Sequence, residues 1–387
     1  MAGESFDTLV KGFTKEFGQI GGKGYDYPEV PRIPTGWFPL DLAMGGGFPL
    51  GKIAEVYAAE GSLKTTLALK LIASHQKLYP KKKCAFFAIE DAAWDKKRAE
   101  KLGVDVENTY VIEADYGESA IDMVEDLLGS PECGVVVFDS LAALLTTREL
   151  SKSAETRDVG GPAFLVTQLM RKVVGGIIRA RKLGNHPTFI GVNQLRSKIG
   201  AYGPNPEDTA GGRALKYMCS TRLRLYAKDE KDPKYHKFLP VRKLVNFGIK
   251  KHKFPIVMSS GSDMKVCMIP YKGLKVGECD DFKLVCQYMM EHDLLKKNEK
   301  GVWLFDDAPL GSLKDLKTMF DEDEELARQV KTAIIDTEKS KANREEGFES
   351  EGTNKDDDGE DSPPDEDTKK PKKKSKKSDD DESEEEG

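Results

Sequence analysis

From Lys52 onward, short apolar runs alternate with segments of helical period, and this alternation limits the fold more than any other feature of the chain. The runs are KIAEVY (52–57), CAFFAIE (84–90), TYVIEA (109–114), GVVVFDS (134–140), TFIGVNQ (188–194) and STRLRLY (220–226). Between them Leu67, Leu71, Ile72 and Leu78 mark one helix, and Val166, Leu169, Val173 and Ile177 mark another. A strand that is apolar at nearly every position is buried on both faces. The pattern therefore predicts an α/β core, a mostly parallel sheet flanked by helices.

Composition divides the rest. Residues 5–20 place Phe6, Leu9, Val10, Phe13, Phe17 and Ile20 on one helical face, ahead of a Gly/Pro-rich linker. Such a helix has little of its own domain to cover it, so it either folds back on the core or docks on a neighbouring subunit. Residues 272–340 carry shorter strands, more charge, and helical patterns at 282–291 and 313–335, which predicts a small C-terminal α+β domain. The expected division is 1–32 as an oligomerisation helix and linker, 33–271 as the core, 272–340 as the small domain and 341–387 as a disordered tail. Residues 345–387 hold 19 acidic residues against 8 lysines, a net charge of −11; with −6 for the whole chain, about +5 remains on the body. The six cysteines show no C-x-x-C spacing, which argues against zinc or a disulfide framework. No run is long and apolar enough to cross a bilayer, and MAGESFDTLVKGF is not a signal peptide, so a soluble, cytoplasmic protein is expected.

The first strand leads into AAEGSLKTT (58–66) and a helix. Phosphate binding needs inward backbone N–H groups, a lysine for the terminal phosphates and a hydroxyl on Mg²⁺. Ala58, Ala59, Glu60, Gly61, Ser62, Leu63, Lys64, Thr65 and Thr66 form that stretch, although Ala58 and Leu63 stand where G-x-x-x-x-G-K-[ST] has glycine. Alone this is a weak match. It gains weight from Asp139, which ends a buried strand where a carboxylate would hold Mg²⁺, and from Glu90, which ends another where it would orient an attacking water. A helix cap or a solvated loop is the plain alternative for each acid.

At this point the residues resemble the RecA family of DNA strand-exchange recombinases. The resemblance rests on IPTGWFPLDLAMGGGFPLGKIAEVYAAEGSLKTTL (33–67), CAFFAIEDAAWDKKRAEKLGVD (84–105), VVVFDSLAAL (135–144), NQLRSKIG (193–200) and NPEDTAGGRALKYMCSTRLRL (205–225), in that order. It implies a RecA-type P-loop ATPase core and a DNA-dependent ATPase using ATP and Mg²⁺. It further implies a helical filament on single-stranded DNA that pairs with double-stranded DNA, possible help from single-strand-binding and loader proteins, and no membrane partner. By position, Lys64, Thr65 and Thr66 would take phosphate and metal, Glu90 would activate water, Asp139 would share Mg²⁺ with Thr65, and Asp95 would contact adenine. Gln194 would sense the γ-phosphate, and Lys251 and Lys253 would reach ATP across a subunit interface, with Lys250 a competitor for the alignment.

Two stretches, 148–163 and 195–212, correspond to the family's DNA loops and are too long and Gly-rich for ordinary connections. The second implies contacts from Arg196 and Lys198 to phosphate, Ser197 on the DNA beside them, Ile199 as a wedge, Tyr202 for stacking, and close backbone approach at Gly211 and Gly212. Arg171 and Arg213 add charge, while Phe164 replaces a family Arg. Other departures are Arg98, where the family stacks a Tyr, and the bulky Leu63, which UvsX-type phage recombinases tolerate and which favours a phage origin. The alternative function is a ring-shaped helicase or motor ATPase on the same core.

The tail reads either as a solubility device or as an electrostatic competitor for DNA. If it competes, truncation after Ser340 strengthens duplex DNA binding and lowers the Mg²⁺ needed for exchange. The gain should be largest at low salt, because screening acts over about 8 Å at physiological ionic strength. Filter binding of full-length and truncated protein at low salt tests this; equal affinities leave the tail a solubility device or a partner-docking site.

Overall fold

The structure is a computed structural model, and it describes residues 5–17, 29–90, 93–114, 116–147, 161–197 and 207–349. Its centre is a nine-stranded sheet. The strands are β3 (Ile53–Ala58), β4 (Lys83–Ala88), β5 (Thr109–Ile112), β6 (Cys133–Asp139), β7 (Thr188–Ser197), β8 (Glu207–Thr209), β9 (Thr221–Glu230), β10 (Arg242–His252) and β11 (Ser260–Cys267). They run in the order β11-β10-β9-β3-β7-β6-β4-β5, with β8 attached to β7. The stretch from β9 to β5 is parallel; β10, β11 and β8 pair antiparallel. A two-stranded ribbon, β1 (Arg32–Ile33) with β2 (Phe48–Pro49), precedes it.

Period-two alternation sends the strand side chains to two apolar layers. Val56, Phe86, Val137 and Ile190 pack against Leu67, Leu71 and Ile72 of the helix that follows β3. That helix runs Lys64–Leu78 and stops where Tyr79 precedes Pro80. On the other face, Phe87, Phe138 and Phe189 stack at 5.4 and 6.4 Å between centroids, under helices Gly117–Gly129 and Gly161–Lys182. Those two helices touch closely at Gly176, where a Cβ would lie 2.8 Å from the Glu125 carbonyl oxygen.

In chain order the α-helices are α1 (Phe6–Phe17), α2 (Phe38–Ala43), α3 (Lys64–Leu78), α4 (Lys96–Lys101), α5 (Gly117–Gly129), α6 (Gly161–Lys182), α7 (Gly212–Met218), α8 (Phe282–Glu291), α9 (Leu313–Glu322) and α10 (Glu324–Glu349). A separate antiparallel sheet, β12 (Leu295–Lys297), β13 (Trp303–Phe305) and β14 (Ala308–Leu310), joins α8–α10 around Val285, Met289, Leu316 and Ile334. Phe38 and Leu42 of α2 belong to this same cluster, so the core lends two side chains to the C-terminal unit. Asp281 fastens the junction, accepting the Phe38 N–H at 3.2 Å and the Lys331 ammonium at 3.0 Å.

Three expectations change. The pattern at 313–335 is two helices: Asp323 leaves the helical conformation and its carboxylate caps the next helix, accepting from the Glu325 and Leu326 N–H groups. The last helix continues to Glu349, past position 340 where the tail was expected to begin, so a cut after Ser340 would shorten it. Part of the 195–212 loop is a hairpin, with Leu195–Ser197 of β7 paired to β8. In α1, Phe6, Leu9 and Phe13 are exposed, Phe6 at 80%; Ile20 lies outside the described residues, as do 350–387.

Candidate active site

The carboxyl ends of the parallel strands gather groups that lie far apart in sequence. Ala58 stands opposite Gln194, and Asp139 lies between Ala88 and Val192. Ala58 continues β3 and is fully buried, so no turn is needed there. The turn comes later, at Gly61 (φ 69°) and Leu63 (φ 66°). A leucine in the left-handed region costs about 1–2 kcal/mol. Its side chain is 6% exposed within the core, and burying it returns about as much. Leucine can thus do at 63 what glycine does in the usual pattern.

Lys64 opens α3, and its ammonium donates to the carbonyl oxygens of Ala59 (2.9 Å) and Ala58 (3.3 Å). Burial pulls its pKa down, opposed by the charges of Asp139, Glu90 and Glu60. Thr65 donates its hydroxyl to Asp139 Oδ2 at 2.6 Å. Burial pushes the Asp139 carboxyl up to about 6; the Thr65 hydrogen bond and the charges of Lys64 and Arg98 oppose that shift, while Glu90 adds to it. Ile89 and Glu90 donate their N–H groups to the Asp139 carbonyl oxygen, at 2.8 and 3.3 Å. The Glu90 carboxylate accepts from the Ser140 hydroxyl and from Gln194 Nε2, the latter at 2.7 Å. Thr66 accepts from Arg98 Nη2 at 2.7 Å, and Asp95 caps α4 with its carboxylate on the Arg98 N–H. Lys64, Thr65, Thr66, Glu90, Asp139 and Gln194 are thus brought together, with Arg98 beside them.

This donor set fits a nucleotide with Mg²⁺. The first N–H groups of α3, a lysine now satisfied only by its own loop, and a hydroxyl–carboxylate pair converge on one edge. Among the described residues, no cluster of three His, Cys, Asp or Glu side chains could hold a metal by itself. A cation here would depend on Thr65, Asp139 and phosphate oxygens.

Other expected residues lie apart. Lys251 near the end of β10 and Lys253 just past it lie beside Ser220 and Thr221 at the start of β9, on the edge of the sheet opposite the phosphate loop. Lys251 donates to the carbonyl oxygens of Lys216 (2.7 Å) and Tyr217 (2.9 Å), capping α7. Arg171 and Arg213 are exposed. Arg196 and Ser197 lie in β7; Lys198, Ile199 and Tyr202, and residues 148–160 of the other loop, fall outside the described residues. Gly211 needs its glycine for an internal reason, since φ is 101° and a Cβ would lie 2.6 Å from Val166 Cγ1 on α6. Close approach there is to the protein's own helix. Gly212 begins α7 and is exposed.

One buried polar group, a layer below the site, is not among the residues singled out from the sequence. Glu55, in the middle of β3 and fully buried, accepts from Arg222 Nε at 2.5 Å and from Asn193 Nδ2 at 2.8 Å. An acid and an arginine inside two otherwise apolar strands were the available signal, because buried charge has to be paired.

The RecA N-terminal domain family matches residues 5–259. Protein RecA of Campylobacter fetus subsp. fetus is 35% identical over 355 residues, 88% of this chain and 93% of that protein. Protein RecA of Porphyromonas gingivalis is 35% identical over 324 residues, 81% of this chain and 87% of the relative. Protein RecA of Aquifex pyrophilus is 40% identical over 226 residues, 57% of this chain; the chain spans 63% of the length of that relative.

Two outcomes follow from the geometry. Leu63→Gly and Leu63→Ala both lose the buried side chain, but only alanine keeps the strained φ, so urea melts should find the glycine variant more stable by about 1 kcal/mol; the reverse order removes the strain argument. The Asp139 carboxyl titrates at about 6 when folded against 3.8 ordinarily, so the folded state binds the extra proton and stability falls as pH rises through that window. Asp139→Asn should therefore raise the melting temperature of the nucleotide- and Mg²⁺-free protein at pH 7.5. The gain is a few kcal/mol, at about 1.4 per pKa unit, and shrinks toward pH 4. Equal calorimetric midpoints at pH 7.5 would contradict it.

Proposed function

The chain belongs to the RecA family, and from that premise we propose that it is an ATP-dependent recombination protein that forms helical filaments on single-stranded DNA and catalyses homologous pairing and strand exchange. One observation carries the reading: Gln194 touches Glu90 at the phosphate edge and leads within three residues into the hairpin that holds the second loop.

ATP, when bound with Mg²⁺, supplies the γ-phosphoryl group that water attacks. Lys64 exchanges its two loop carbonyls for phosphate oxygens and balances their charge. Thr65 and Asp139, already in contact, would hold the metal. Glu90 orients the water and takes its proton at the carboxylate, while Ser140 and Gln194 fix that carboxylate in place. Asp95 at the mouth of α4 borders the base. Lys251 and Lys253 act on the nucleotide of the next subunit, which agrees with their position on the opposite edge. Arg171, Arg196, Ser197, Lys198, Ile199, Tyr202, Gly212 and Arg213 would contact the DNA, and the exposed apolar face of α1 would dock on a neighbouring copy. Loader and single-strand-binding proteins are the further partners, and the setting is cytoplasmic; no helix among the described residues is long and apolar enough to cross a membrane. The length of the similarity, which runs through the C-terminal unit, favours this reading over a ring-shaped motor.

Lys64→Ala should abolish ATP-supported strand exchange. Glu90→Gln should still bind ATP while its DNA-stimulated hydrolysis falls about 10²-fold or more. Full hydrolysis in Glu90→Gln would remove Glu90 from the mechanism. Rings in place of helical filaments, seen by electron microscopy on single-stranded DNA with a slowly hydrolysed ATP analogue, would favour the motor.

A further inference from the structure

Beneath the phosphate edge, the three strands β7, β3 and β9 share one buried polar cluster. Glu55 of β3 stands directly opposite Arg222 of β9 in the sheet, and their side chains meet at 2.5 Å with the glutamate fully buried. Asn193 of β7, also fully buried, uses both amide protons: one goes to Glu55 Oε1 and the other to the carbonyl oxygen of Ala210, each at 2.8 Å. Its own oxygen accepts the backbone N–H of Gln194 at 2.9 Å. Arg222 reaches Thr209 Oγ1 at 3.3 Å and lies over the Tyr57 ring, 5.0 Å from its centroid. Thr209 and Ala210 are the end of β8 and the residue after it, where the second loop returns to the body.

We propose that Glu55, Asn193 and Arg222 are positioning residues that couple nucleotide binding to the conformation of the second loop. This rests on the reading of Gln194 as phosphate sensor and of that loop as DNA-binding. The coupling follows from satisfied valences. Asn193 has no spare proton, and its oxygen is bonded to the very peptide that carries Gln194. When Gln194 leaves Glu90 for a phosphate, the 193–194 peptide turns, and Asn193 can follow only by releasing Glu55 or Ala210. Releasing Glu55 weakens the pairing of a buried carboxylate, which is costly in a low-dielectric interior. The Ala210 contact is the cheaper one to give up, so the return of the loop shifts while the Glu55–Arg222 pair stays. That pair is the fixed anchor, Asn193 the pivot, and Thr209 with Ala210 the moving end.

The coupling can be read as the ratio of single-stranded DNA affinities with and without a slowly hydrolysed ATP analogue. For the unmodified protein the ratio should be about 5- to 150-fold. Glu55→Gln alone would strand a largely buried guanidinium, so the test pairs Glu55→Gln with Arg222→Gln, and uses Thr209→Val, at the loop side of the cluster, as a conservative second variant. In the paired variant the ratio should fall to within about threefold of one, and in Thr209→Val by about half on a logarithmic scale. ATP-analogue affinity and DNA-free hydrolysis should stay within about twofold of the unmodified protein, a split that general loss of structure would not give. If the paired variant does not fold, Thr209→Val decides. An unchanged ratio in a folded variant overturns the proposal. A ratio of one in the unmodified protein defeats the underlying reading of Gln194 and the loop, and this inference with it.

Discussion

The hydrogen bond from Thr65 to Asp139 is the contact on which the rest of the site depends. It joins the first turn of α3 to the end of β6, and β6 in turn lies between β4 and β7. Asp139 closes three segments at once: its carboxylate takes Thr65, its carbonyl oxygen takes Ile89 and Glu90, and its strand register places Gln194 one neighbour further on. Everything chemical in the site is therefore held by parallel pairing, whose register is fixed by the two apolar layers above and below the sheet. Those layers also exclude water from the carboxylate, which is why its affinity for a proton is raised, and why a divalent cation with phosphate oxygens would find an underneutralised ligand waiting.

Much of this was legible in the sequence for one physical reason. Strands covered on both faces must be apolar almost throughout, so six runs announced six strands, and the observed limits differ from them by only a few residues. Acids at the ends of such strands stand out against that background, which is how Glu90 and Asp139 were found. Glu55 carried the same signal in the middle of a strand, and Arg222 carried it in another, yet neither names its partner. Pairing them requires knowing that β3 and β9 are neighbours with Glu55 opposite Arg222, a long-range fact that no local pattern contains. The same limit explains Gly211, whose need for glycine comes from Val166 on a helix 45 positions earlier, and the division at Asp323, where one carboxylate's choice of backbone partner separates two helices with a continuous apolar period.

The replacement of glycine by Leu63 shows how a motif can lose a residue and keep its shape. Position 63 needs a left-handed backbone because the chain must turn from a strand into a helix whose N–H groups point at one spot. Glycine meets that need without strain. Leucine meets it by burying its side chain beside Val56 and Leu67, so the energy that distorts the backbone and the energy that packs the core are of similar size and opposite sign. Ala58 raises no comparable problem, because the chain there is still extended.

Lys251 adds the final constraint. Within one chain it and Lys253 cannot approach the phosphate loop, since β10 runs antiparallel to β9 and ends on the far edge of the sheet. In the proposed filament, a head-to-tail stack would bring that edge of one copy over the phosphate edge of the next, and a stack that does not close is an open helix. Lys251 already has partners, the carbonyls that end α7, the short helix into which the second loop runs. If it turns to a neighbour's nucleotide it leaves those carbonyls uncapped, and α7 is free to adjust. Each subunit would then feel nucleotide twice on the same loop: at its start through Gln194 and its own ATP, and at its far end through Lys251 and the ATP of the adjacent copy. Two biases on one hairpin add in free energy, so occupancy at one interface favours the same loop state as occupancy at the other. Assembly, nucleotide and DNA binding would then be mutually supporting without any direct contact between nucleotide and DNA.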